Sequence, residues 1–352
     1  MLYLAVPVLA LVQFAVLDVP FARTAVATAP FALAAVVIVV GRRSGAHDVE
    51  AVGRRWLGAI GAAGVGLALW AITTFLVALP AGVGEPSGFY RVKVLVTTPL
   101  GDHNTAAGLL LVGVVATVLL ARSDRRWWAG VASTTLGVVA CLSRGSALVL
   151  LLVGLVALVG GSLVGARRPV AMAVAGAGLA ASLAIAGLGV VLDASAPSGE
   201  GAAEEPDGPV GASVAARGEL VARGAAVAAE HPWLGVGLGG FGGEAEDLPP
   251  PNDHAHNTLA QAGAEGGVPL ASVALALAVL LAVRGSRLPN GWRRDLALLG
   301  GAALVGHGQL DILWGTVGAE ALLAVLLLLA VGDAGPRTGA LGVGDPDLPG
   351  RA

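Results

Sequence analysis

The sequence predicts an all-α fold: a polytopic transmembrane helix bundle of about ten spans, with a large outer loop containing a short interfacial helix. Three observations predict it. Of 352 residues, 56% are hydrophobic and only 13% charged, with a mean hydropathy of +0.80, whereas about a quarter of a soluble domain is charged. Apolar runs recur at the length that a bilayer core of about 30 Å demands, roughly 20 residues each. The basic residues fall on alternate connections, as they do where cytoplasmic loops hold the positive excess.

The ten spans are expected near 2–20, 25–41, 56–79, 105–121, 127–143, 146–165, 169–192, 268–283, 296–315 and 317–332. No basic segment precedes the first, so it reads as a retained helix and not as a cleaved leader. With both termini on the cytoplasmic side, the inner loops hold Arg42, Arg43, Arg54 and Arg55, then Arg122, Arg125 and Arg126, then Arg167 and Arg168, then Arg284, Arg287, Arg293 and Arg294. Those are 13 of the 21 basic residues, and Arg337 and Arg351 lie in the tail. Six remain outside: Arg23, Arg91, Lys93, Arg144, Arg217 and Arg223. The transmembrane domain is expected over 1–332, with its outer loop at 193–267, and the Gly/Pro-rich stretch 333–352 as a disordered cytoplasmic tail.

Composition also excludes functions. One lysine and 4% aromatic residues leave no basic, aromatic-laced face for nucleic acid. The single cysteine, Cys141, lies in an apolar run and forms no internal disulfide. No cofactor is expected. Function should sit on the two long outer segments, about 80–104 and 193–267, because short connections are the default. In the larger one, Ala194 to Gly211 reads as disordered, and Val214 to Glu230 as a helix stopped by His231-Pro232.

Several polar residues there could carry chemistry. Between Asp193 and Asp253 there are eleven acids and only two bases, Arg217 and Arg223. Either arginine could form a surface ion pair, worth about 0 to 1 kcal/mol. Arg144, in Ser143-Arg144-Gly145-Ser146, interrupts two apolar runs; it could snorkel to the interface or bind a phosphate through its guanidinium fork. His256 is able to take a proton from a hydroxyl near neutral pH. With His254 it makes only a weak zinc signal, lacking cysteines or a third spaced histidine, and no metal is expected. The glycines from Gly235 to Gly243 do not form a dinucleotide loop, since no strand precedes them; a tight turn is the favoured reading. His307, Gln309, Asp311 and Glu320 are read as hydrogen-bonding between helices.

Taken together these residues resemble the O-antigen ligase and O-antigen polymerase-like family of bacterial membrane glycosyltransferases. The likeness rests on Ser143-Arg144-Gly145, on the run from Arg217 through His231-Pro232-Trp233-Leu234-Gly235-Val236-Gly237 to Phe241, and on His256-Asn257 followed by Glu265-Gly266. Gly101-Asp102-His103-Asn104 is similar to the family's Asn-bearing loop. The chain departs from the pattern at Val221, where a tryptophan is common, and in having fewer helices.

The resemblance implies transfer of a glycan from a polyprenyl-pyrophosphate carrier to an acceptor hydroxyl, on a glycan or a lipid, at the outer face of the cytoplasmic membrane. It implies catalytic roles for Arg144, Arg217 and His256, and substrate binding by Asn257, Glu265, Arg91, Asn104 and Gly237. The arginines would stabilise charge growing on the leaving pyrophosphate, and His256 would deprotonate the acceptor. Attack from the face opposite the lipid would invert the anomeric carbon, without nucleotide or metal. A polymerase of the same family is the alternative, and a small-solute transporter or a non-catalytic membrane partner remain as readings from other classes.

Overall fold

The computed structural model describes residues 2–17, 21–44, 49–83, 85, 88–159, 168–194, 208–247, 254–311, 313 and 315–331. The chain is an all-α bundle in which α1 (Leu2–Val16), α2 (Phe21–Ser44) and α3 (Val49–Ala78) lead to the short α4 (Gly88–Leu95). A two-stranded hairpin, β1 (Thr97–Thr98) and β2 (Gly101–Asp102), turns into α5 (His103–Ala121). Then follow α6 (Trp127–Ala140), α7 (Arg144–Val159), α8 (Arg168–Ala194), α9 (Gly208–Glu230), the single-turn α10 (Phe241–Glu244) and α11 (Thr258–Arg287). The last part consists of α12 (Trp292–Asp295), a π-helical turn Leu296–Gly300, α13 (Gly301–Gly308) and α14 (Val317–Val331).

Four helices are long and apolar enough to cross a membrane, and five shorter ones are apolar. Among the described residues, these nine overlap nine of the ten expected spans. The span expected at 296–315 is corrected: its helix runs from Trp292 through the π turn to Gly308, so Gln309 to Asp311 lie beyond it. The span expected at 268–283 starts earlier, at Thr258, because the polar first turns of α11 are helical without being hydrophobic. Residues 160–165 of the sixth span, the acidic part of the stretch 194–211 and the tail from 333 lie outside the described residues.

The bundle is built around α5, whose apolar window is 94% buried. A helix that is apolar all round belongs in the interior. Asp102 starts it by accepting from the Thr105 amide at 2.8 Å, an N-cap that satisfies an otherwise orphaned donor. Small residues let the neighbouring backbones come close, which replaces hydrophobic driving force as the source of helix association in lipid. A Cβ on Gly64 of α3 would lie 2.9 Å from the Gly113 Cα of α5. Between α7 and α8 the fit is mutual: a Cβ on Gly154 would lie 2.4 Å from the Ala175 nitrogen, and one on Gly178 2.3 Å from the Leu151 nitrogen.

α11 is interrupted at Gly267, whose φ of 65° and ψ of −164° are open in practice only to glycine. The break, together with Pro269, frees three backbone groups that a continuous helix would pair: the Val268 amide and the carbonyls of Ala264 and Glu265. All three are closed from outside the helix. The Val268 amide donates to the Pro232 carbonyl at 2.8 Å, and the Val236 amide donates to the Ala264 carbonyl at 2.9 Å. The Gln13 side chain, fully buried in α1, donates to the Glu265 carbonyl at 2.7 Å and to the Leu234 carbonyl at 2.6 Å. The loop His231 to Gly237 is thus a clasp over the break.

Candidate active site

The site forms where the end of α4, the starts of α5, α7 and α11, the middle of α9 and the turn after α13 meet. Asp311 is its pivot. The side chain is 4% exposed and holds two partners, His256 Nδ1 at 2.9 Å and Arg217 Nη2 at 3.3 Å. Arg217 also donates from Nη1 to the Leu310 carbonyl at 3.2 Å. Burial alone would raise the Asp311 carboxyl, but the hydrogen bond and charge of His256 and the Arg217 guanidinium outweigh it, and the group is held down at about 2. An ionised carboxylate only accepts, so His256 Nδ1 carries the hydrogen toward Asp311. This tautomer puts the basic lone pair on Nε2.

Asn257 sets this geometry. Its Oδ1 accepts from the Leu259 and Ala260 amides, both at 3.0 Å, capping α11, while Nδ2 donates to the Gln309 carbonyl at 3.1 Å. The helix start beside His256 is thereby pinned to the turn that bears Asp311. The two non-glycine residues with left-handed backbones among those described both flank the site: His256, with φ 49°, and Leu142, with φ 51°, two positions before Arg144. Such conformations cost of order 1–3 kcal/mol and persist only where surrounding structure enforces them.

Arg144 lies at the first turn of α7 with its guanidinium 4.6 Å from the Phe89 ring centroid. Below it, the Ser143 and Ser146 hydroxyls are 2.8 Å apart, and Ser146 Oγ is 3.0 Å from Nδ1 of the buried His307. That chain ties the start of α7 to α13, four residues before Asp311. Lys93 of α4 stands between the two arginines. Burial chiefly, then the charge of Arg217 and more weakly that of Arg144, push its ammonium down, against the pull of Asp311 and Asp102. Asn104 is buried in the first turn of α5.

The other residues assigned from the sequence lie elsewhere. Arg91 pairs with Glu85 at 3.0 Å on the surface. Glu265 is buried under the clasp, where Gln261 donates to it at 2.7 Å, and Gly237, with φ 88°, is part of the clasp itself. Arg223 forms an ion pair with Asp247. Among the described residues, no group of three or more His, Cys, Asp or Glu side chains is placed to hold a metal.

Beside Gln309 and Thr258 opens a cavity of about 310 Å³ between α11, α13 and α14, walled by Leu275, Ala278, Leu304 and Leu323. It is open on the side of Leu275, which is half exposed.

Residues 129–275 match the family model described as O-antigen ligase. The match is a likeness over 147 of the 352 residues. No curated protein matches the chain. The matched segment contains Arg144, Arg217 and His256 and ends inside α11. Asp311 and Lys93, which the geometry adds, lie outside it. In sequence terms Asp311 has a hydrogen-bonding role between helices and no place in the site, because the apolar run around it suggests a helix continuing to 315. The signals that mark it are the glycines at 306 and 308 and an acid in an otherwise apolar stretch.

Proposed function

We propose that the protein transfers a glycan from a polyprenyl-pyrophosphate carrier to an acceptor hydroxyl at the outer face of the membrane. The observation that carries this reading is the bridge from His256 through Asp311 to Arg217. It joins a base to an anion-binding group in one hydrogen-bonded unit. The O-antigen ligase family match supports the reaction class.

In the proposed reaction His256 Nε2 takes the proton of the acceptor hydroxyl as its oxygen attacks the anomeric carbon. The C–O bond to the pyrophosphate breaks from the opposite face, with inversion, and the electron pair leaves on the polyprenyl pyrophosphate. Asp311 steadies the imidazolium that forms. Charge grows on the leaving group, so donors aimed at it lower the barrier more than they tighten ground-state binding. Of the five N–H donors of Arg217, those bonded to Leu310 and Asp311 hold the fork in place, and others can meet the phosphate. Arg144 and Lys93 supply further positive charge. The apolar cavity beside Gln309 suits the first isoprene units of the carrier, leading the tail from the reaction centre into lipid.

The test is transfer by the purified protein from a lipid-linked oligosaccharide, with and without chelator. Asp311→Asn keeps the shape but removes the charge that selects the His256 tautomer, and should lower transfer by about 10²- to 10⁴-fold at unchanged membrane abundance. Wild-type transfer rates in both Asp311→Asn and Arg144→Ala would refute the assignment. Product length separates the two acceptors: single addition to a foreign acceptor marks a ligase, growing chains a polymerase.

A further inference from the structure

At the end of α5 away from the site, a second cavity of about 360 Å³ opens between α3, α5 and α12. A helix of 19 residues is about 28 Å long, so this cavity lies a bilayer's thickness from Asp311. Arg54 and Arg122 line it with Ser123 and Trp292, and Leu57, Leu119 and Leu120 complete its wall. The three lining segments are far apart in sequence, so the fold has gathered them.

We propose that this cavity binds the headgroup of an anionic phospholipid in the leaflet facing that end of the bundle. The chemistry is graded as such a lipid is graded. Two guanidinium groups match a phosphodiester, and an indole sits at the level where tryptophan favours the headgroup boundary. Three leucines continue the wall toward the acyl region. The cavity is half polar by lining where the one beside the active site is almost wholly apolar, which fits a headgroup better than an isoprenoid. Gly53 makes room for the indole, since a Cβ there would lie 2.8 Å from Trp292 Cη2. Basic pockets between transmembrane helices are a recurrent way of holding acidic lipid. The arginine-rich connections put this face on the cytoplasmic side, where such lipid is abundant.

The experiment measures the thermal midpoint of the purified full-length protein in neutral detergent against added phosphatidylglycerol, phosphatidylcholine or inorganic phosphate. A ligand bound by the folded state alone raises the midpoint in a concentration-dependent way. Phosphatidylglycerol should raise it, and the other two should not. Arg54→Gln/Arg122→Gln should bind roughly thirtyfold more weakly, at about five- to sixfold per arginine. Ser123→Glu, an exposed change that puts a carboxylate into the same space, should show a comparable loss and stands in if the double variant does not fold. Arg125→Gln/Arg126→Gln, in the same turn but outside the cavity, should respond as wild type does. Asp311→Asn should also respond, so a failure here is separate from a failure of the transfer reading. An equal rise with phosphatidylcholine or with phosphate would overturn the proposal, as would an undiminished phosphatidylglycerol response in both cavity variants.

Discussion

Asp311 has a folded-state value of about 2 against an ordinary 3.8, and the sign of its effect follows from that depression. Its ionised form is the one the fold prefers, so its contribution, about 2 kcal/mol, is full above pH 4 and disappears as the pH falls through 2. Stability of the wild type measured between pH 5 and pH 2 should therefore drop more steeply than that of Asp311→Asn; parallel curves would contradict the pairing. Arg217 stands out in the sequence as charge on an outer loop against the positive-inside bias, Arg144 as a break between two apolar runs and His256 as an imidazole that can take a proton near neutral pH; their catalytic roles come from the resemblance alone. Lys93 met the first of these criteria and was passed over. Asp311 reads as a polar group bonding between helices, since hydropathy counts residues and does not register that a helix stops at Gly308.

At the level of elements, hydropathy marked apolar helices but not their ends, because capping and breaks depend on single residues. Asn257 begins α11 ten positions before its apolar stretch, and Gly267 with Pro269 divides it. The His231 to Gly237 motif, which the family resemblance connects with function, acts in the fold as the partner of that break. A side chain on Gly267 would put Cβ 2.4 Å from the Pro232 oxygen in a backbone region that costs 1–3 kcal/mol. Gly267→Ala should therefore lose at least about 2 kcal/mol of stability together with the protection of the Val268 amide from hydrogen exchange. Gln13→Leu leaves two buried carbonyls unpaired and should cost about 1–3 kcal/mol. A thermal midpoint unchanged in both would dissolve the clasp as a structural device.

Across the whole molecule, Arg54 of α3, Arg122 after α5 and Trp292 of α12 share one cavity, while His256, Arg217, Asp311 and Lys93 gather at the other end of α5. The orientation read from the loops can be tested directly. The single, buried Cys141 offers a simple check. In a Cys141→Ala background, Glu230→Cys should react with an impermeant maleimide on intact cells, and Ser123→Cys only after permeabilisation; the reverse pattern would invert the topology. The amide of Gln13 and the carbonyl it closes on Glu265 are 252 positions apart. A ribosome adding 5–20 residues per second needs roughly 13 to 50 s to cover that distance. For that time the newly made first helix waits in the bilayer with a polar group that has no final home, and the emergence of α11 ends the wait.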